Sequence, residues 1–182
     1  KQVFLGIGGW TDSTNGKYSK MVSDKKLRAN FIENAIPFLK RFSFTGFHVD
    51  WNYPVCPQSD CKRGNPSDKM HFTQFIKELQ TALQQANLGL SISISGYKEI
   101  INQAYDFVAL SKYVDFMTVM TFDYHGAWEP ETGHVSPLYG SNNDKYPQYN
   151  TNYTIQLLLK LGAAREKIIM GVPCKFIIKL LN

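Results

Sequence analysis

The sequence lacks several features that would indicate common functions. It has 3 cysteines and 4 histidines in 182 residues, and they do not converge at a metal-ligand spacing, so we expect no metal and no cofactor. No apolar run approaches the roughly 18 residues of a membrane span, so we expect no membrane insertion in this segment. Internal repeats and low-complexity segments are absent, which excludes a solenoid.

The charge of the chain is modest and dispersed. The 20 Lys and Arg residues exceed the 15 Asp and Glu residues by 5. The basic residues are scattered along the chain, which is typical of a solvated face. Because no nucleic-acid binding module accompanies them, we expect no nucleic-acid partner. The chain is 43% hydrophobic and 14% aromatic, enough to build the core of one domain.

Strand and helix patterns alternate along the whole chain. Strands are predicted at 3–10, 44–54, 90–95, 114–122 and 167–173. Helices are predicted at 23–42, 67–88, 98–112 and 151–161. No hairpin signal occurs, so the order predicts an α/β fold with a parallel sheet, right-handed crossovers and outer helices. The long loop 124–150 is rich in Gly, Pro, Asn and Tyr, and its length indicates a functional role.

Two predicted caps and one proline bear on where the predicted helices begin and end. Ser23 or Asp24 can cap the first helix, and Ser67 can cap the second. Pro37 lies within the first helix, where its missing N–H and its ring should kink or shorten that helix.

The segment 44–54 has the strongest functional signal. Alternation along a strand places His48, Asp50 and Asn52 on one face and Trp51 on the opposite face, in the core. Three polar side chains in a row on a buried strand are unfavourable unless that face lines a site. Pro54 ends the strand, so the polar row lies at its carboxyl end.

Three segments resemble glycoside hydrolase family 18, the chitinases and their relatives. The segment 44–54 is similar to the family pattern Asp-x-x-Asp-x-Asp-x-Glu followed by Tyr-Pro. Residues 8–10 match a Gly-Gly-Trp at the end of the third barrel strand, and residues 120–128 are similar to the Met-x-Tyr-Asp segment of the sixth strand.

The resemblance implies a partial (β/α)8 TIM barrel that comprises roughly strands three to seven. A whole barrel takes about 200 to 250 residues, so we expect a fragment of a longer, multidomain chain, most like a non-catalytic domain of an insect-type chitinase. The family pattern holds over residues 1–173, and residues 174–182 depart from it as a tail.

The catalytic residues of the family pattern are largely replaced. In the family the final Glu is the general acid, and the Asp two residues before it positions the substrate N-acetyl group that attacks the anomeric carbon. The corresponding positions here are Thr45, His48, Asp50 and Asn52, so only Asp50 is kept. An amide has no proton to donate at physiological pH. Phe122 replaces the Tyr that stabilises the oxazolinium intermediate.

The resemblance also implies a set of substrate-binding residues. They are Trp10, Asp50, Tyr53, Met120, Asp123 and Trp128. Trp10 and Trp128 would stack on sugar rings, and Asp123 would bond sugar hydroxyls. Structural roles fit some of these residues as well: Trp10 as a core residue at a strand end, Asp123 as a turn cap, and Met120 and Phe122 as plain core.

Two further features concern the compartment. Cys56 and Cys61 lie in a polar loop and are either a small disulfide of a secreted protein or two free thiols. Asn152 begins a glycosylation sequon. Together with the family resemblance they favour an extracellular, secreted protein.

Three functions are consistent with the sequence. The first is a catalytically silent domain that binds chitin or N-acetylglucosamine oligosaccharides. The second is an active chitinase that uses another acid, although Asp50 and His48 lie deeper than the position of the missing Glu. The third is a fragment without independent function, because five strands leave two open parallel edges.

Overall fold

The computed structural model describes residues 1–141 and 144–174. Five parallel strands form one sheet in sequential order. They are β1 (Phe4–Gly8), β2 (Gly46–Asp50), β3 (Gly89–Ser95), β4 (Phe116–Met120) and β5 (Ile168–Met170). Each strand pairs with the next one along the chain, which requires a crossover on the outside of the sheet. The predicted parallel α/β sheet is therefore confirmed.

Within the described residues, six α-helices lie in these crossovers and loops. They are α1 (Lys17–Ser23), α2 (Lys25–Arg41), α3 (Asp68–Gln85), α4 (Lys98–Ala104), α5 (Phe107–Tyr113) and α6 (Thr151–Lys160). Short 3₁₀ turns occur at Pro57–Ser59 and Arg165–Lys167. No helix in the described ranges has the length and apolar character needed to cross a membrane.

The helix predictions need two corrections. Helix α1 was not predicted, because its seven residues mix Lys and Ser with only two buried side chains. The helix predicted over 98–112 is two helices. Tyr105 has extended backbone dihedrals, and the Asp106 side chain accepts a hydrogen bond from Ala109 N at 3.0 Å. That bond caps a new helix, which sequence periodicity alone did not reveal.

The structure confirms some of the predicted helix caps, and it contradicts the predicted shortening of α2 by its proline. Asp24, not Ser23, caps α2 by accepting from the backbone N–H groups of residues 26 and 27. Pro37 does not shorten α2, which continues to Arg41. Ser67 precedes α3 as predicted, but its side chain makes no capping bond.

The outer face of the sheet packs against the helices through aromatic side chains. The Phe47 ring contacts the Phe31 ring edge-on at 6.0 Å between centroids. The Trp51 ring lies 5.9 Å from Tyr18 and 5.8 Å from Phe72. Trp51 is therefore a core residue, as predicted. These contacts fix the direction of β2 and thereby point its alternate side chains to the inner face.

Several strands are shorter than predicted, and the difference falls at the site. Strand β2 ends at Asp50, so Asn52 lies beyond it, and β4 ends at Met120, so Phe122 lies beyond it. Of the predicted tail 174–182, all residues but Cys174 lie outside the described ranges. The boundary at residue 173 stays a prediction.

Candidate functional site

A groove opens at the carboxyl ends of the strands, where the loops that follow them meet. Its volume is about 870 Å³. The lining residues are Trp10, Asn52, Tyr53, Ser59, Gly96, Tyr97, Glu99, Ile100, Met120, Phe122, Asp123, Trp128 and Tyr149. Seven predicted positions thus come together in one cavity. Asp50 and His48 lie below it on β2, and Thr45 lies at the opposite end of that strand.

Asp50 and Asn52 are joined by a direct hydrogen bond. Asn52 Nδ2 donates to Asp50 Oδ1 at 2.8 Å and to the Asp50 carbonyl at 3.2 Å. The backbone N–H of Asn52 donates to Ser13 Oγ at 2.9 Å, and the side chain is only 4% exposed. The strand ends before Asn52, contrary to prediction, yet the side-chain amide of Asn52 still faces Asp50. The amide holds the Asp50 carboxylate as an acceptor and supplies no transferable proton.

His48 is bound by two serines of the neighbouring strand. Its Nδ1 lies 2.8 Å from Ser91 Oγ and its Nε2 lies 2.9 Å from Ser93 Oγ. The register between β2 and β3 sets His48 beside Ser91. Burial lowers the pKa of His48, and the charge of Asp50 opposes this only in part. A neutral imidazole, satisfied at both nitrogens, therefore lies under Asp50.

Thr45 has a structural role remote from the groove. Its Oγ1 accepts a hydrogen bond from Val3 N at 2.7 Å and lies 3.1 Å from the Val3 carbonyl. The contact joins the chain before β2 to the chain before β1.

Phe122 and Asp123 follow β4 into the groove. Phe122 presents a ring without a hydroxyl at the position where the family pattern has Tyr. Asp123 has a left-handed backbone, with φ 59°, and its carbonyl accepts a hydrogen bond from the Tyr97 hydroxyl. This geometry places Asp123 among the lining residues, so a role confined to capping a turn does not describe its position.

Tyrosines form one wall of the groove. Burial raises the pKa of Tyr53 to about 12, although a hydrogen bond with Ser95 acts in the opposite direction. Burial also raises the pKa of Tyr97, whose ring meets Tyr149 edge-on at 5.2 Å between centroids. These hydroxyls stay protonated at neutral pH and are hydrogen-bond donors. Tyr97 and Tyr149 were missed by the sequence analysis because they lie in unpatterned loops.

Two tryptophans present exposed rings at the groove. Trp10 is 53% exposed and Trp128 is 63% exposed, so the core role considered for Trp10 is wrong. The Trp128 ring lies over Gly126, where an added Cβ would come within 2.2 Å of it. A flat, exposed aromatic face at a groove suits stacking on an apolar ring face.

The remaining predicted residues lie around the groove or outside it. Cys56 and Cys61 form a disulfide in the loop that contains Ser59, so the free-thiol alternative does not describe this structure. Asn152 is exposed near the start of α6. Among residues 1–141 and 144–174, no three His, Cys, Asp or Glu side chains form a group that could hold a metal ion. The absence of a metal stays a prediction.

A parallel sheet with outer helices and a groove at the carboxyl strand ends defines an α/β protein of the barrel class. A family profile described as Glycosyl hydrolases family 18 matches residues 1–176, and the chain belongs to this family. The resemblance recorded in the sequence is thereby confirmed.

Relatives agree with this assignment. Probable chitinase 10 of Drosophila melanogaster is 58% identical over 173 residues, which are 94% of this chain and 8% of that protein. Chitinase-3-like protein 2 of Homo sapiens is 32% identical and is covered to 44% of its length. This chain thus spans less than half of each relative.

Solved structures share the fold. The Ostrinia furnacalis Group II chitinase catalytic domain 2, a mutant in complex with (NAG)5, has a TM-score of 0.93 and 41% identity over 94% of this chain and 45% of its own. The Group IV chitinase of the same species, in complex with allosamidin, has a TM-score of 0.86 and 35% identity over 94% and 46%. The predicted partial barrel is confirmed as a fold, while the numbering of its strands as three to seven stays a prediction.

Proposed function

We propose that this chain is a catalytically silent chitinase-like domain that binds chitin or N-acetylglucosamine oligomers. The observation that carries the proposal is the Asn52 amide, which donates to Asp50 at 2.8 Å at the position of the family's general acid. Protonation of the glycosidic oxygen needs a group with a pKa near the working pH. An amide cannot take that role, and neutral His48 lies deeper on the same strand.

The binding half of the proposal is supported by the composition of the groove. Trp10 and Trp128 offer exposed rings for sugar faces, and Asp123 offers a carboxylate for sugar hydroxyls. The buried hydroxyl of Tyr53 and the side chain of Met120 complete the wall. Below them, Asp50 is an acceptor for an acetamido N–H. A similar solved structure holds (NAG)5, which makes this ligand class the first to test.

A wider context follows from the same proposal. We infer that residues 1–173 act as one domain of a longer extracellular chain, in which a silent domain raises the local substrate concentration for an active neighbour. The Cys56–Cys61 disulfide and the exposed Asn152 sequon support secretion. Sugar oligomers are the proposed partners, and nucleic acid is not.

The experiment is a titration of the chain with N-acetylchitohexaose, followed by calorimetry, with product analysis of the same sample. We expect saturable binding without cleavage. Trp128→Ala should weaken binding about tenfold, the effect of roughly 1.4 kcal/mol of lost contact between the exposed ring and a sugar face. Met70→Ala is the matched control, since Met70 is 63% exposed on α3 and does not line the groove.

The second candidate is an active chitinase, favoured by the name of the 58% identical relative. It would need a carboxylic acid other than the missing Glu, and Asp123 is a carboxylate in the groove. Shortened sugar products that disappear in Asp123→Asn would support this candidate and contradict the silent domain. If neither binding nor products are found, the silent binding domain and the active chitinase are both contradicted. A fragment without independent function is then the remaining candidate.

A further inference from the structure

The loop closed by the Cys56–Cys61 disulfide forms part of the groove wall. Cys56 is fully buried, and the 3₁₀ turn Pro57–Ser59 lies between the two cysteines. Ser59 lines the groove together with Asn52 and Tyr53. The loop is therefore more than a surface connection between β2 and α3, because it contributes to the cavity itself.

Within this loop, Gln58 links the ends of two neighbouring strands. Its side-chain Nε2 donates to the Trp10 carbonyl at 2.7 Å. Its backbone N–H donates to the Asn52 carbonyl at 3.3 Å. Trp10 follows β1 and Asn52 follows β2, so one residue joins an aromatic wall of the groove to its floor.

The backbone of the loop is held in an uncommon conformation. Val55, Gln58 and Ser59 have φ values of 64°, 50° and 67°, in the left-handed region that side chains with a Cβ seldom adopt. Such conformations persist where surrounding contacts hold them. The disulfide and the two Gln58 hydrogen bonds are contacts of this kind, and all of them meet at the groove.

We propose that Gln58 is a positioning residue for Trp10 and that the Cys56–Cys61 disulfide keeps Gln58 within reach. The Trp10 ring is half exposed, so packing constrains it less than a core ring. Holding its carbonyl restrains the backbone dihedral ψ of Trp10, and the rotamers open to the side chain depend on φ and ψ. The consequence for sugar affinity rests on the proposed function, whereas the positioning of the ring does not.

The first test needs no ligand. Fluorine NMR of the chain labelled with 5-fluorotryptophan gives one signal for each of the 3 tryptophans, and Trp10→Phe identifies the Trp10 signal. We expect Gln58→Ala to move or broaden that signal by more than its linewidth and to leave Trp51 and Trp128 unchanged. Gln58→Glu, which removes the side-chain N–H donor but keeps a side chain of similar size, should change the Trp10 signal in the same way.

Two further variants complete this test. The double variant Cys56→Ser/Cys61→Ser should reproduce the change in the Trp10 signal. Gln84→Ala is the control, because it removes an exposed side-chain amide of α3 that bonds Gln80 away from the groove. An unchanged Trp10 signal in Gln58→Ala overturns the proposal, and so does an equal change in the control.

The second test measures coupling in the bound state. We expect Gln58→Ala to weaken N-acetylchitohexaose binding by about 3- to 10-fold, the effect of one lost hydrogen bond. In a Trp10→Ala background the same change should weaken binding less than about twofold. Equal losses in both backgrounds overturn the role of Gln58 in positioning Trp10. Failure of the unmodified chain to bind contradicts the proposed function instead, and the fluorine spectrum then decides on Gln58.

Discussion

At the scale of single residues, the site consists of two layers of polar contacts on β2. In the upper layer the Asn52 amide is bonded to Asp50, and in the lower layer His48 is bonded to Ser91 and Ser93. In both layers the buried polar side chains bond one another, as expected for polar groups inside a protein. Asp50 supplies the carboxyl group of the upper layer and its partner Asn52 is an amide, so the residues present fit one another.

Restoring the acid alone should not restore hydrolysis. We expect Asn52→Glu to leave the release of a chromogenic leaving group within about threefold of background, because the family pattern also has a carboxylate at the place of His48 and a Tyr at the place of Phe122. The triple variant His48→Asp/Asn52→Glu/Phe122→Tyr should raise the rate at least about 100-fold. The measurement is a rate assay on a chitobiose glycoside. Full activity in the single variant would contradict this view and assign the silence to Asn52 alone.

His48 should make stability depend on pH. Burial holds its pKa in the folded chain below the ordinary 6.5, so the unfolded chain takes up the proton first as the pH falls. Proton uptake by the unfolded state lowers the free energy of unfolding. We therefore expect the free energy of unfolding of the chain to decrease as the pH falls below about 6.5. In His48→Gln, which keeps a polar side chain beside both serines, this free energy should decrease less over the same pH range.

The comparison uses urea unfolding at several pH values between about 8 and 5. His134→Gln is the control, since it makes the same substitution at an exposed loop residue that does not touch β2. Equal pH dependence of His48→Gln and the parent chain would mean that His48 does not contribute through its buried, neutral state.

The residue scale also shows what the sequence alone could predict. Alternation within one strand was sufficient to place His48 and Asp50 on the inner face, because both lie within β2. The partners of His48 could not be predicted, since Ser91 and Ser93 are more than forty positions away and their proximity depends on strand register. The Gln58 contact with Trp10 has the same origin, because it arises only when two loops meet.

At the scale of secondary structure, α1, α2 and α3 are joined by the contacts of Arg28, a buried residue whose ion-pair partner Glu78 is partly exposed. Arg28 on α2 donates to both Glu78 oxygens on α3, at 2.8 and 3.0 Å. It also donates to the Val22 carbonyl at the end of α1, at 2.7 Å. Arg28 is only 7% exposed, so its loss would leave Glu78 and that carbonyl without these bonds.

Arg28→Ala should therefore lower the free energy of unfolding by about 2 kcal/mol, because it removes charge-assisted hydrogen bonds and leaves the Val22 carbonyl without its partner, while water still reaches the partly exposed Glu78. Arg28→Lys should recover only part of this, since an ammonium lacks the planar fork. Urea unfolding measures both. Lys26→Ala, exposed on the same helix, should change the value by less than about 0.5 kcal/mol. A comparable loss in the control would mean that the helix, and not the pair, was disturbed.

The accuracy of the element predictions depended on the type of signal. The inward face of the long helix α3 was predictable because apolar residues recur at helical spacing over 18 residues. The break between α4 and α5 was not, because no Gly or Pro interrupts the segment and Ile101, Tyr105 and Val108 keep near-helical spacing across it. Helix α1 lacked both length and a clear stripe, and its formation depends on packing of Tyr18 and Val22 into the core.

At the scale of the whole molecule, the sheet ends in strands with a single partner. Within residues 1–141 and 144–174, β1 pairs only with β2 and β5 pairs only with β4. Alternation of strands and helices predicted a parallel sheet, and the resemblance to a barrel family implied the sequential strand order. The exposure of the two edge strands depends on the rest of the barrel, which these elements alone do not define. The chain covers 45% of the similar Group II chitinase domain.

Within the part of the chain that the structure describes, the β5 edge combines backbone groups that have no strand partner with exposed apolar side chains. Ile169 and Met170 are about half exposed and Val172 is 70% exposed. A parallel edge of this kind is a template for pairing with a second chain. We therefore expect the isolated chain to associate as its concentration rises, as measured by sedimentation velocity, and the double variant Ile169→Lys/Val172→Lys to suppress this association.

Met70→Lys supplies the matched comparison, because it also adds a lysine at an exposed apolar side chain, but on α3 away from either sheet edge. Association that persists unchanged in this variant and disappears in the β5 variant would assign it to the β5 edge. Equal suppression by both would indicate that added positive charge alone is responsible. Suppression by neither variant would locate the contact elsewhere, with the carboxyl end of α2, where Phe38 and Phe42 are about half exposed, as the next surface to mutate.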